Sequence, residues 1–366
     1  MALAITGMGM ITSVGHDVDT SCASIRAGIT RPSEIVYFET LDGVTQETIP
    51  LIGHSIQCVG DGFDIIGLWI RFGLECFNNL TNSNSLPDMS DLNFWSSTGF
   101  IGVIPPINDA RFNSDHSVSN LTVKKLFLDR MIELTGLPFL SENIHLECTG
   151  RFGLMTAVQL ADKLLGATNS IKRIIILAID SYLDPFTLEW LDQNDRLKAG
   201  DNPVGIAPGE AAACIMLELV ETAMRSGINY EILINQPIIE LENESFNNGL
   251  ISYGTALART IRQTLLNSNI KLPFDGDIIS DMNGEYWRAH ELGCARVKTL
   301  NELGSDANFI YPANSLGETG AASSSIAVCM AVTSLMRSYS KENHVLVLSS
   351  SDDGHVGGLC VYKNRH

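Results

Sequence analysis

The stretch from Asn143 to Tyr182 constrains this chain more than any other. A β-capable run at Ile144 and Leu146 breaks at Thr149-Gly150. Leu154, Ala157, Val158, Ala161 and Leu164 then recur at the spacing of one helix face. The unbroken apolar run from Ile174 to Ile179 reads as a strand covered on both faces. Strand, sharp turn, helix and buried strand make the unit on which α/β enzymes mount a nucleophile. The turn exposes a side chain, and the helix N-terminus stabilises negative charge beside it. Cys148 and Arg151 flank the tightest point of this turn.

A chain of 366 residues with 45% hydrophobic and 18% charged residues is globular and long enough for two domains or one duplicated one. Its formal net charge of -18 argues against nucleic acid or an acidic membrane surface as partner. The eight cysteines are scattered without a CxxC pair, which fits reduced thiols in a cytoplasmic protein. The opening MALAITGMGMITSVG lacks a basic n-region and reads as a first strand rather than a signal peptide. No apolar run reaches the roughly 18 residues of a membrane span.

Residues 3 to 12 form a buried strand, with Gly7, Gly9 and Gly15 allowing close approach and a turn; a compact GxGxxG is absent. A helix follows, capped by Asp17 or Asp19 and ended by Gly28. Pro32 to Leu92 is irregular apart from a helix at Ile66 to Asn79. FIGVI, Phe100 to Ile104, is a short buried strand, and Arg111 to Gly136 is largely helical and polar. The 32–136 span therefore reads as an insertion in an N-terminal half running from 1 to 225. Asp184-Pro185 opens a helix carrying Leu188, Trp190 and Leu191, and NPVGIAPGEAAACIMLE turns into a strand with Glu210 at its mouth. The ordinary role for Glu210 is to pin a loop by accepting backbone N–H bonds. The C-terminal half, 226 to 366, repeats the plan coarsely. It has a strand around Ile228 to Ile239, a helix at Tyr253 to Asn267, a strand at Asp277 to Asp281, a turn-helix at 314 to 336 and a last strand at 344 to 348. Two such halves imply five layers, with two small-residue helices packed between two sheets.

Four segments, taken in order, resemble the β-ketoacyl synthases of the thiolase-like superfamily. ITGMGMITSVGHDVDTSCASIRAG is similar to the family's VTGxGxxTPxG opening, and GIAPGEAAACIMLE to its GFVxGEGAxxxxLE strand. NSLGETGAASSS is similar to KSxxGHTxGAAG, and VLVLSSSDDGHVGG lies where the family has a serine-rich strand end and GFGG. The resemblance implies a thiolase-like αβαβα sandwich of two similar halves and a homodimer paired through the strand before the elbow. It also implies a condensing acyltransferase of fatty acid or polyketide type that meets an acyl carrier protein or acyl thioester, with no cofactor and no metal.

Family members carry an acyl chain on an elbow cysteine and use two imidazoles, or His and Asn, to polarise substrate. By alignment the first histidine falls on Asn283 and the second on Glu318. Counting back without a gap from Ala157 and Ala161 puts Arg151 at the cysteine position, whereas placing Cys148 there requires a shift of three residues. Arg151 opposite Glu318 makes sense as a buried ion pair. Further candidates are Asp281, Glu285 and His290 near Asn283, and Asp352, Asp353 and His355 in the final turn. These loops read either as solvated or as a polar cleft over the elbow that holds a cation or does acid/base work; their spacing matches no metal motif. A charge near Asp352 stands where the family has its gatekeeper phenylalanine. Three functions stay open: a condensing synthase, an inactive subunit binding an acyl carrier or partner synthase, and an altered enzyme using Glu318 and His355.

Overall fold

The computed structural model describes residues 2–82, 86–107, 110–112, 119–167, 170–227 and 230–364. The first half contributes β1 (Leu3–Thr12), β2 (Ser33–Leu41), β3 (Thr48–Gly53), β4 (Thr98–Val103), β5 (Ile144–Glu147), β6 (Arg173–Ser181) and β7 (Glu210–Leu219). The second contributes β8 (Ile232–Ile234), β9 (Ile238–Leu241), β10 (Asp277–Ser280), β11 (Asn308–Ile310), β12 (His344–Ser350) and β13 (His355–Lys363). The longer helices are α1 (Val18–Arg26), α2 (Ile65–Thr81), α3 (Gly153–Ala167), α4 (Pro185–Gln193), α5 (Thr255–Asn267), α6 (Tyr286–Lys298) and α7 (Ser323–Met336).

The two halves use the same pairing. β1-β7-β6-β4-β5 runs antiparallel, antiparallel, parallel, parallel, and β8/β9-β13-β12-β10-β11 repeats that order. In the second copy the first strand is split, because Pro237 between β8 and β9 has no N–H to give to the ladder. The two sheets expected from the sequence are joined: Leu3 and Ala4 of β1 pair with β8, so the eleven strands form one continuous ladder. Both sheet portions still enclose a helical layer.

β6 shows why its sequence is apolar throughout. Ile174, Ile176 and Ala178 face the central cluster with α3 and α7, while Ile175, Leu177 and Ile179 face an outer cluster with Trp69, Phe72 and Phe77 of α2. In β12, Val345 and Val347 point inward, and Leu346 and Leu348 outward onto α5 and α6. Every residue of α7 from Ser323 to Leu335 is buried, so this helix carries no polar stripe. The layers are therefore helix, sheet, helix, sheet, helix.

Several boundaries differ from the sequence reading. The helix expected at Ile66 to Asn79 is present as α2, but the 32–92 region is otherwise not mostly irregular, for it also forms the β2–β3 hairpin. The glycine-rich end at 354–358 is a strand start, β13, and not a turn alone. Gly357 and Gly358 are needed there because a Cβ would lie 2.6 Å from Met155 and 2.7 Å from Thr260. The helix expected in 111–136 is present as one unbroken run from Asn120 to Thr135, with a π-helical middle at Lys124–Asp129. Within 32–136, β4 belongs to the main sheet and α2 to its outer cover. Residues 113–118, and the expected strand start at Ile228, lie outside the described residues.

Gly9 sets the distance between β1 and α2, since a Cβ there would sit 2.2 Å from the carbonyl oxygen of Cys76. Gly9→Ala is expected to cost about 1–3 kcal/mol of stability through overpacking, read as a lower denaturant midpoint at unchanged m-value.

Candidate functional site

Each half has the same elbow. Thr149-Gly150 and Thr319-Gly320 lead into single 3-10 turns, Gly150–Phe152 and Gly320–Ala322, which run into α3 and α7. Both glycines hold positive φ, +66° and +49°, and a Cβ at Gly320 would lie 1.9 Å from Asp180. The elbows meet face to face: Ser324 Oγ donates to the Arg151 carbonyl over 2.8 Å.

Arg151 occupies the middle of the first turn and is 5% exposed. Its guanidinium donates to Glu318 through Nη1 and to the Tyr182 hydroxyl through Nη2 at 3.3 Å. The Glu318 oxygen that takes Arg151 also accepts from Asn283 Nδ2 at 2.6 Å, and its other oxygen accepts the Gly320 N–H at 2.7 Å. Asn283 donates in turn to Glu285 at 3.1 Å. Arg196 grips Glu285 with two bonds of 2.8 and 3.0 Å and reaches Asp352 at 2.7 Å. Behind Tyr182, Arg111 lies 4.0 Å over the ring and binds Asp180 at 2.7 and 3.2 Å; Asp180 accepts the Ala321 N–H at 2.9 Å. A chain of alternating charge thus fills the space between the elbows.

Burial works against a charge on Arg151, but Glu318 and Tyr182 outweigh it and hold the group firmly cationic. Burial alone would push the Asp352 carboxyl up, yet Arg196 and Arg151 bring it below the usual carboxylate range. A guanidinium has no lone pair to offer as a nucleophile, and a carboxylate only accepts hydrogen bonds. Glu318 cannot stabilise a developing oxyanion, and the Arg151 donors that could are already turned to Glu318 and Tyr182.

Cys148 lies just past β5 and packs into the outer cluster with α2, on the side of the sheet away from Glu318. Burial, and then Glu147, push its thiol up to about 12. At that value on the order of one part in 100,000 is thiolate at pH 7. The alternative left open by the sequence thus resolves in geometry, with Arg151 at the elbow and Cys148 on the strand end.

His355 stacks on Phe152 with ring centroids 4.6 Å apart, and its Nδ1 lies 2.9 Å from Asp353 in the solvent-facing turn. It neighbours the elbow but is engaged with Asp353 and not with Glu318, so an acid/base pair of Glu318 and His355 is not assembled. His290 sits on α6 near the Ser252 carbonyl, between Tyr253 and Tyr286. Asp281 pairs with Arg288 at 2.6 Å and accepts from Ser349 Oγ at 2.8 Å, so it is a buried brace in the second sheet. Of the loop candidates, Asn283, Glu285 and Asp352 join the elbow network; the solvated reading fails for Asp281 and Glu285, which are 8% and 4% exposed. Glu210 does pin a loop, accepting the Ile56 N–H at 2.7 Å and the Ser181 hydroxyl at 2.8 Å. Arg111, Arg196 and Tyr182 had no motif to mark them. The only hint was a charge argument: carboxylates gathered between two halves need buried cations. Among the described residues no group of three His, Cys, Asp or Glu is arranged to hold a metal, and no helix is long and apolar enough to cross a membrane.

No family model matches the sequence, and no curated protein matches it. Solved structures do. A structure described as the ishigamide ketosynthase/chain length factor is 15% identical, with TM-score 0.71 over 100% of both chains. A type II polyketide synthase ketosynthase bound to a hexaketide, in complex with its acyl-carrier protein, is 12% identical, with TM-score 0.74 over 99% of both chains. A β-ketoacyl synthase from Burkholderia phymatum is 13% identical, with TM-score 0.72 over 99% of both chains. At these identities the likeness is one of fold.

Proposed function

Starting from a thiolase-like β-ketoacyl synthase fold, we propose that this chain is a non-condensing subunit of fatty acid or polyketide type acyl-chain metabolism, working through a partner and not through its own elbow. One observation carries the reading: a buried arginine, paired to Glu318, stands at the elbow where an acyl-accepting thiol would be needed. The partner of this reading is a second ketosynthase-fold chain, either its own copy or an active synthase, and what favours it is a free sheet edge. An acyl carrier protein, itself acidic, would have to dock on clustered basic residues of a chain whose net charge is -18. The outer edge of β5 is the natural place for pairing with that second chain, because among the described residues this strand ends the ladder and its outward N–H and C=O groups have no partner strand. A cytoplasmic setting agrees with eight free cysteines.

Incubation with an acyl-carrier thioester or a cysteine-directed ketosynthase inhibitor, followed by intact-mass and peptide mass spectrometry, tests this. The expected result is no adduct on any cysteine under conditions that saturate an active synthase. Stoichiometric acylation of Cys148 sinks the proposal.

A further inference from the structure

A second feature lies away from the elbow network. A cleft of about 820 Å³ opens between β2, the 55–68 segment and the start of α4. That volume suits a small organic ligand. Ile35, Ile56 and Leu183 form buried apolar walls, and the rings of Phe63 and Phe186 stand about half exposed at its mouth. Its charges all have one sign: the lining includes Glu34, Asp61, Asp64, Asp184 and Glu210, and no Lys, Arg or His. The neighbouring cation Arg71 is turned onto the Phe63 ring and the Val59 carbonyl and does not line the cleft.

We propose that this cleft binds a small organic cation with an apolar body, such as an arylalkyl ammonium. The apolar walls take the body, and the rim carboxylates take the charge. Among the described residues, Asp61 and Asp64 have no hydrogen bond or ion pair from their side chains, so their charge is unspent. Two helix N-termini, those of α2 and α4, also face the cleft and oppose a cation with roughly half a charge each. Glu34, Asp61 and Asp64 outweigh them even when Asp184, which faces Arg111 behind the wall, and Glu210 are left out of the count. The inference stands independently of the partner-subunit reading, since it uses none of the elbow residues.

Isothermal titration calorimetry of the full chain with 4-phenylbutylammonium and with the isosteric 4-phenylbutyrate separates charge from apolar affinity. The ammonium is expected to bind one to one, with the carboxylate at least ten-fold weaker. The double variant Asp61→Asn, Asp64→Asn should weaken ammonium binding about five-fold, the scale for two solvent-facing charges, while leaving the melting temperature in place because neither side chain makes a hydrogen bond or ion pair among the described residues whose loss would cost stability. Equal or tighter binding of phenylbutyrate overturns the proposal. So does an unchanged ammonium affinity in the double variant, an absence of ammonium binding, or capture of a tetralysine peptide in preference to the ammonium, which would mark a protein-docking surface instead.

Discussion

Replacing Arg151 with alanine is expected to lower the unfolding free energy by about 3–5 kcal/mol, the cost of leaving a buried charge without its partner. Glu318 would remain, 2% exposed, with only Asn283 and the Gly320 N–H as donors. The pair itself is not expected to be a large net source of stability, because taking both ions out of water cancels most of their attraction. The double variant Arg151→Met, Glu318→Leu should therefore recover most of the loss, giving a coupling of several kcal/mol in a double-mutant cycle. Urea titrations of the parent, Arg151→Met, Glu318→Leu and the double variant close the cycle, with Arg151→Ala measured beside them. A single-variant cost below about 1 kcal/mol would mean the pair is solvated, and the account of a plugged elbow would fail.

The second large effect concerns pH. Glu210 is 5% exposed, and burial pushes its carboxyl from the usual 4.5 up to about 7, against the opposing hydrogen bonds from Ile56 and Ser181 and with a further push from Asp61. The folded state thus holds its proton more tightly than the unfolded chain does, so stability is highest below pH 4.5 for this group and falls as pH rises toward 7. At about 1.4 kcal/mol per pKa unit the loss is roughly 3 kcal/mol. Glu210→Gln keeps both contacts, its oxygen accepting from the Ile56 N–H and its amide donating to Ser181 Oγ, but has nothing to titrate. Its stability relative to the parent should rise between pH 5 and pH 8 by about that amount. A difference that stays flat over this interval, by chemical denaturation at fixed ionic strength, contradicts a proton-holding Glu210.

Much of the architecture was legible because it rests on short-range spacing. The alternation hidden in IIILAI, the elbow before α3 and the small-residue helix α7 each declare themselves within fewer than 20 residues. β11 and β13 did not. The first is three half-buried residues long, and the second begins in glycines that look like a turn until Met155 and Thr260 are known to press against them.

The elbow shows the same division. The count along α3 is a local matter, so the resemblance to ketosynthase motifs put Arg151 at its tip and Glu318 opposite. It left Cys148 as a rival because three positions along a chain say nothing about which face of the sheet a side chain meets. The contacts that decide the site span the chain: Arg151 to Glu318 over 167 residues, Arg196 to Glu285 over 89 and to Asp352 over 156. Periodicity and turn chemistry act between near neighbours and are written in the sequence. Charge compensation in a buried space is a demand on whichever groups the folded layers bring together, and only the tertiary structure names them.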